Sequence, residues 1–209
     1  MVRAVDGSPL SEKQLARRQR VIRAALLLAA EGGYDAVHMR DVASASDVAL
    51  GTIYRYFSSK DHLLAAALGE WTAELRQRVA RQPARGDTPA DRVVDVLRRA
   101  CRAIERHPTL TSALVRALGT NDAGVGESAH EVSEQIRGIT APLLVDLSAG
   151  ELDDILAVLQ HVWYSTLISW ANGRRDVRTI GEELERAARL LLAPYSTLSP
   201  ATPARSRAS

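Results

Sequence analysis

Residues 39–57 contain two short apolar patterns separated by a break, and this stretch limits the fold more than any other part of the chain. Val42 supplies an apolar position in the first segment, the break falls at Asp47, and Val48 and Ile53 return apolar groups in the second segment. This spacing is typical of two short helices that share one small core and meet at a tight turn. The sequence therefore predicts a helix-turn-helix unit over these residues.

The rest of the chain also follows helical spacing, with no alternating run typical of a strand and no internal repeat. We predict an all-α fold of about nine helices, in which a three-helix unit precedes a larger helical unit. Gly32-Gly33 is expected to end the first helix near Glu31, and Pro142 to kink or restart a helix running towards Leu147. The predicted parts are a disordered terminus over 1–10, the helix-turn-helix unit over 11–58, the larger unit over 59–193 and a disordered tail over 194–209.

The chain has little net charge, but its basic residues are clustered. With 209 residues, 46% of them hydrophobic, it is long enough to bury a sizeable core. Its 27 basic and 25 acidic residues give a net charge of +2, which excludes a global positive field that would bind nucleic acid indiscriminately. Any affinity for nucleic acid must come from a local patch. Basic residues gather before and within the helix-turn-helix unit: Arg17, Arg18, Arg20, Arg23, Arg40, Arg55 and Lys60.

The cysteine content and the hydropathy of the chain indicate the cellular compartment in which it is expected. Cys101 is the only cysteine, so the chain has no internal disulfide, and one thiol alone cannot hold a zinc ion. The first ten residues lack the apolar run of a signal peptide, and the longest apolar stretch, 24–30, is too short to cross a bilayer. We therefore expect a cytoplasmic protein without membrane contacts.

The second helix of the unit carries side chains suited to the major groove of DNA. Small residues at its leading end allow close approach of the backbone, and Tyr54, Arg55 and Tyr56 follow one turn later. Their hydroxyl, ring and guanidinium groups suit phosphate, thymine methyl and guanine contacts. Lys60 begins the next helix, where the helix dipole favours an anion. The alternative is an ordinary helical hairpin in which the tyrosines and Phe57 form the core.

These residues carry a resemblance to a known family. Gly33-Tyr34, the 39–57 stretch, and Lys60 with Leu63 resemble the DNA-binding head of the TetR family of repressors, whose hallmark is a Gly-Thr-Ile/Leu-Tyr-x-x-Phe-x-x-Lys string. The resemblance implies a homodimer bound to palindromic double-stranded operator DNA. The DNA-contact residues that it implies are Leu50, Gly51, Thr52, Tyr54, Arg55, Tyr56 and Lys60.

The chain departs from the family pattern at two positions. Many members have Thr where His38 stands, and that Thr caps the second helix and touches phosphate. His38 is therefore a further candidate for DNA contact. Many members have Gly where Asp47 stands, so Asp47 must adopt a turn conformation that Gly adopts at lower cost.

Three further segments, 32–40, 106–111 and 162–170, are similar to the branch of the family that contains the steroid catabolism repressors. For this chain the resemblance implies control of steroid or lipid breakdown genes. It also implies release from DNA by a small apolar effector, a coenzyme A (CoA) thioester of a steroid acid.

A mostly apolar effector pocket is expected among the fourth to eighth helices. The alternative for each residue is ordinary core packing. Arg98, Arg99, Arg102 and Arg116 either meet polar groups of the ligand or form a solvated face. The expected lining residues are Trp71, Leu75, Leu97, Cys101, Ile104, Leu114, Leu118, Asn121, Trp163 and Trp170.

The last two helices have wide apolar surfaces that need burial on more than one side. One side closes the core of the chain, and the other is expected to meet a symmetry mate. We expect this homodimer interface to include Leu159 and Leu167.

No catalytic motif, cofactor site or metal site is expected. Glu127, His130, Glu131 and Glu134 share one helical face, as in half of a di-iron bundle, but the second Glu-x-x-His half is missing. No phosphate loop, serine nucleophile elbow or Cys-His pair is present in the sequence. The alternative to a DNA-binding regulator is a helical ligand-binding protein without specific DNA binding.

Overall fold

The computed structural model describes residues 4–145 and 147–196. Within them the chain is all-α, which confirms the predicted fold class. Two short 3-10 turns, Ala141–Leu143 and Ala193–Tyr195, complete the regular structure of the described residues. The nine helices are α1 (Glu12–Ala36), α2 (Met39–Ser46), α3 (Leu50–Tyr56), α4 (Lys60–Arg81), α5 (Pro89–Arg106), α6 (Pro108–Ala117), α7 (Ala123–Thr140), α8 (Ala149–Ala171) and α9 (Val177–Leu192).

Helix α1 begins at a reciprocal cap and contains a break near its end. The hydroxyl of Ser11 accepts from the backbone N–H of Gln14, and the Gln14 side chain accepts from the backbone N–H of Ser11. Gly33 has φ 72°, which interrupts the helix near its predicted end. Helical hydrogen bonding nevertheless resumes, so that α1 extends to Ala36 rather than stopping near Glu31.

Helices α2 and α3 form the predicted helix-turn-helix. Asp47 ends α2 in the left-handed conformation, with φ 52° and ψ 47°, as the comparison with Gly at this position predicted. Val42 and Ile53 have no exposed surface, and they join the two helices to the core of α1. The turn therefore directs the outer face of α3 away from the rest of the molecule.

The residues before α1 pack against this unit. Ala4 and Leu10 are buried, and the backbone N–H of Val5 donates to the carbonyl of Arg55 over 2.9 Å. The prediction of disorder over 1–10 is therefore wrong for residues 4–10, because two buried apolar side chains and a backbone hydrogen bond hold them against the helix-turn-helix unit.

The remaining six helices, which we call the body, form the larger unit. Ser59 caps α4 and Thr88 caps α5 through their hydroxyls. Helix α7 ends at Thr140, and Pro142 lies in the 3-10 turn that follows, which separates α7 from α8. Helix α4 packs on α7 and α6, while α9 packs on α5 and α8. No described helix is both long and apolar enough to cross a membrane.

The body and the helix-turn-helix unit, which we call the head (residues 11–58), share one core. Phe57 and Leu63 are fully buried in the same cluster as Leu114 of α6 and Val132 of α7. Packing therefore continues across the expected boundary between residues 58 and 59.

The end of α9 is also ordered beyond the expected boundary. Within the predicted tail of 194–209, the Tyr195 hydroxyl donates to Glu151 over 2.8 Å, so the prediction of disorder is wrong at this point. Residues 197–209 lie outside the described residues.

Candidate DNA-contact surface and effector cavity

The outer face of α3 carries most of the predicted DNA contacts. Tyr54 is 47% exposed, and Gly51 and Arg55 are exposed beside it. Leu50 and Thr52 are half-buried at the leading end of the helix. A Cβ added at Gly51 would meet nothing within 4 Å, so this end of α3 is open to close approach. The head thus presents a ring, a guanidinium and a hydroxyl on one surface.

Tyr56 does not belong to this surface. It is 2% exposed, and its ring packs edge-on against Phe57 with centroids 6.4 Å apart. Residues three apart share a helical face, so Tyr56 lies on the same inward side as Ile53. The prediction that Tyr56 contacts DNA is therefore wrong. The helical-hairpin alternative describes Tyr56 and Phe57 correctly, but not the exposed Tyr54.

His38 stands at the start of α2 without acting as a side-chain cap. Its carbonyl accepts from the backbone N–H of Val42 over 3.0 Å, but its ring makes no capping hydrogen bond. The residue is exposed. His38 therefore does not reproduce the capping role of the family's Thr, and its role in DNA contact remains a prediction.

Lys60 is held at the junction of α1 and α4. Its ammonium lies 3.8 Å from the centroid of the Tyr34 ring and donates to the carbonyl of Tyr34 over 3.2 Å. Arg116 lies over the same ring at 4.5 Å, and the Tyr34 hydroxyl donates to Asp61 over 2.5 Å. Burial and the Asp61 carboxylate raise the pKa of Tyr34 to about 12. The predicted phosphate contact of Lys60 requires its ammonium to leave this ring.

A second junction, which sequence reasoning missed, links the head to the start of α7. The Ser58 hydroxyl donates to both carboxylate oxygens of Asp122, over 2.8 and 2.9 Å. The Ser58 backbone N–H donates to Nδ1 of His62 over 3.1 Å, and that ring packs edge-on against Phe57 at 5.4 Å. Burial lowers the pKa of His62, which favours the neutral ring that can accept this hydrogen bond.

Gly124 makes the second junction sterically possible. A Cβ at this position would lie 2.2 Å from Nδ1 of His62, so a larger residue would displace the ring. A glycine inside a flexible-looking Gly-rich stretch carried no sign of this contact in the sequence.

An apolar cavity of about 420 Å³ lies inside the body, lined by all helices from α4 to α8. This volume is within the range of small-ligand sites. Five predicted residues line it: Trp71, Leu75, Ile104, Leu118 and Trp163. The lining residues that sequence reasoning missed are Leu68, Thr72, Ala100, Thr111, Val115, Ala129, Val132, Ser133, Ile136, Gln160, His161, Tyr164 and Leu167.

A second apolar cavity of about 200 Å³ adjoins the first. The predicted residue Leu97 lines this smaller cavity, together with Val93 and Leu156. The two cavities therefore form adjoining parts of one apolar region in the body. Six residues line both: Leu75, Ala100, Ser133, Ile136, Gln160 and Trp163.

Four predicted lining residues lie outside both cavities. Leu114 is fully buried in the core shared with the head, and Asn121 is exposed in the loop before α7. Cys101 and Trp170 pack with Ile180 of α9 instead. For Leu114, Cys101 and Trp170 the prediction is wrong because helical spacing marks an apolar face without distinguishing filled core from cavity wall. Asn121 was predicted as a polar contact, and its exposed loop borders neither cavity. Burial raises the pKa of the Cys101 thiol to about 11.

The apolar surface of α8 and α9 differs from the expected interface. Leu159 and Leu167 are each 8% exposed and pack in the chain's own core, so that they offer little surface to a partner, and their place in the dimer interface stays a prediction. The exposed large apolar residues of these helices are Val158 (45%), Tyr164 (44%) and Leu190 (71%).

Among the described residues, no group of three or more His, Cys, Asp or Glu side chains is placed to hold a metal ion.

Two family patterns match the chain. Residues 21–67 match the family described as bacterial regulatory proteins, tetR family, and residues 86–191 match the tetracyclin repressor-like C-terminal domain. Together they cover most of the head with the start of α4, and most of the body from the loop before α5.

Similar proteins and structures give the same assignment. The transcriptional repressor KstR of Mycobacterium tuberculosis is 37% identical over 87% of this chain and 83% of that protein. A TetR regulator from Rhodococcus sp. RHA1 has a TM-score of 0.77 and 32% identity, covering 87% of this chain and 98% of that one. The TetR-family repressor FadR of Thermus thermophilus, in complex with lauroyl-CoA, has a TM-score of 0.68 and 26% identity, covering 90% and 98%. The chain therefore belongs to the tetR family of bacterial regulatory proteins.

Proposed function

We propose that this chain is a homodimeric transcriptional repressor of steroid or lipid breakdown genes, and that an acyl-CoA effector releases it from operator DNA. The observation that carries the proposal is the continuity of α4, which begins beside the head at Lys60 and lines the apolar cavity with Trp71 and Leu75. A ligand between α4 and α7 acts on the same helix that positions the head. The role of the protein is regulatory rather than catalytic, and we propose that it acts in the cytoplasm.

Two observations support the proposed class of effector. The cavity is apolar and about 420 Å³ in volume, which suits a large hydrocarbon group. The FadR relative is described in complex with lauroyl-CoA, and the resemblance to the steroid catabolism branch favours a steroid acid. We therefore propose an acyl-CoA whose acyl group is a steroid acid or a long fatty acid.

Operator binding by such a dimer needs two heads in successive major grooves, about 34 Å apart. We propose that the exposed side of α8 and α9, with Val158, Tyr164 and Leu190, forms the dimer interface. A Val158→Glu variant is expected to be a folded monomer in sedimentation velocity, since it buries a charge only in the dimer. A dimer of unchanged affinity would place the interface elsewhere.

Footprinting tests the proposed function directly. The DNA flanking the chain's own coding region is probed with the protein alone and with lauroyl-CoA, cholyl-CoA or CoA. The proposal expects a palindromic footprint that a thioester removes and CoA alone does not. Thioester binding without any footprint would favour the alternative, a helical ligand-binding protein without specific DNA binding.

A further inference from the structure

A polar groove of about 320 Å³ lies between the second halves of α4 and α5. The lining of this groove is strongly positive and contains a single carboxylate, that of Asp95. The net charge of the whole protein, by contrast, is only +2. The groove contains five arginines: Arg78, Arg85, Arg99, Arg102 and Arg106.

The carboxylate is already used by one of these arginines. Arg99 forms an ion pair with Asp95 and donates to the carbonyl of Gln82 over 2.6 Å. Arg78 reaches Glu74 only in a solvent-exposed pair at 3.5 Å, which contributes little. Among the described residues, no ion pair is assigned to Arg102 or Arg106.

Arg102 and Arg106 are four residues apart on one face of α5, where like charges repel each other. Two other arginines of the body are ion-paired, since Arg98 pairs with Glu185 over 2.8 Å and Arg116 pairs with Asp35 over 3.4 Å. An anion in the groove would relieve the repulsion that the protein leaves uncompensated there.

Leu75 connects this groove to the apolar region. Its half-buried side chain lines the groove and both apolar cavities. On α5, Arg102 lines the groove while Ala100 and Ile104 line the main cavity. A ligand with an apolar group in the cavity therefore has its polar end within reach of the arginines once it passes Leu75.

We propose that this groove binds the phosphate groups of the CoA moiety while the acyl group occupies the apolar cavity. A phosphate monoester carries about −1.5 to −2 charges near pH 7, and CoA adds a diphosphate to it. Guanidinium groups bind phosphate oxygens through paired hydrogen bonds. The inference rests on the proposed function, because it assumes an acyl-CoA effector.

The test compares two charge-matched double variants by calorimetric titration. Arg102→Gln with Arg106→Gln removes two groove arginines, while Arg174→Gln with Arg186→Gln removes two exposed arginines that line none of the three cavities. Lauroyl-CoA, cholyl-CoA, CoA and laurate are the probes. The groove variant is expected to bind both thioesters about 10- to 100-fold more weakly, since two charge-assisted contacts are lost. Its affinities for laurate and for operator DNA are expected to stay unchanged, as are all affinities of the control variant.

The outcomes separate this inference from the proposed function. Thioester binding that is equal in the wild type and the groove variant would overturn the groove assignment and leave the acyl-CoA effector standing. A wild type that binds laurate but neither thioester would overturn the proposed effector class itself. A groove variant that loses affinity for operator DNA without ligand would assign these arginines to DNA phosphates instead, which also contradicts the inference.

Discussion

The head and the body bury apolar side chains in different ways. In the head, Ile53, Phe57 and Val42 have no exposed surface and pack in one apolar cluster. In the body, large residues such as Trp71 and Trp163 stay half-buried around a cavity of about 420 Å³. The DNA-contact face of the head thus rests on fully buried side chains, whereas the body keeps space in which a ligand can change the packing.

The largest expected effect tests this difference with a matched pair of substitutions. Ile53→Ala in the head should lower the free energy of unfolding by about 2–5 kcal/mol, because it opens a void in a filled core. Ile136→Ala in the body should cost only about 1 kcal/mol, because that side chain is half-buried and already borders both cavities. Urea unfolding measures both values, and equal losses would mean that the body is packed as tightly as the head.

The junction between the two regions is tested at Gly124. Gly124→Ala should destabilise the protein by about 1–3 kcal/mol, because the new methyl group collides with the His62 ring. Gly126→Ala is the control on the same helix, where a Cβ meets nothing within 4 Å. That control should be stabilising by about 0.5–1 kcal/mol, since alanine favours a helix.

Thermal unfolding and operator titration of both glycine variants complete this test. The Gly124 variant should also change operator affinity, because its collision lies next to Phe57 and Ser58 of the head. If both variants behave alike, the α7 junction does not constrain the head.

The exposed face of α3 is tested by Tyr54→Ala. Loss of a groove contact should weaken operator binding by about 1–3 kcal/mol, or roughly 5- to 150-fold, with no change in thermal stability. Tyr54→Phe, which keeps the ring, separates the contribution of the hydroxyl. Fluorescence anisotropy with a labelled operator provides the measurement. Full affinity in the alanine variant would remove Tyr54 from the interface.

The smallest expected effect concerns the turn between α2 and α3. Asp47→Gly should be stabilising by about 0.5–1 kcal/mol, because glycine adopts a φ of 52° without strain. It should also strengthen operator binding slightly, since a negative charge leaves the DNA-facing unit. Asp47→Asn removes the charge but keeps a side chain that tolerates this conformation. A melting temperature lowered by the glycine would show that the Asp47 side chain has a stabilising role.

Sequence reasoning succeeded where the determinants are local. The helix-turn-helix depends on residues within one short stretch, and their spacing fixes both the core face and the outer face of α3. The family resemblance implied a DNA contact for Tyr56, although the same spacing places it on the inward face with Ile53. The ordered residues 4–10 were missed because Ala4 and Leu10 form no periodic pattern.

The body was harder to predict because its cavity depends on distances between helices. Leu114 lies on α6, and Leu118 lies one turn later at the end of that helix. Leu114 nevertheless fills the core, whereas Leu118 lines the cavity. Similarly, Val158 and Leu159 are neighbours on α8, and only the first is exposed. Apolar spacing assigns all of these residues to apolar helix faces. The gaps between helices, which the spacing does not contain, decide which residues border empty space.

We propose that ligand in the body and DNA on the head are coupled through α4 and α7. Linkage requires that each ligand weaken the other by the same factor. The direct measurement is the affinity of lauroyl-CoA for the free protein and for the protein saturated with operator DNA. Coupling predicts that lauroyl-CoA binds the DNA complex more weakly, by the same factor by which it lowers operator affinity. Equal affinities for free and DNA-bound protein would contradict it.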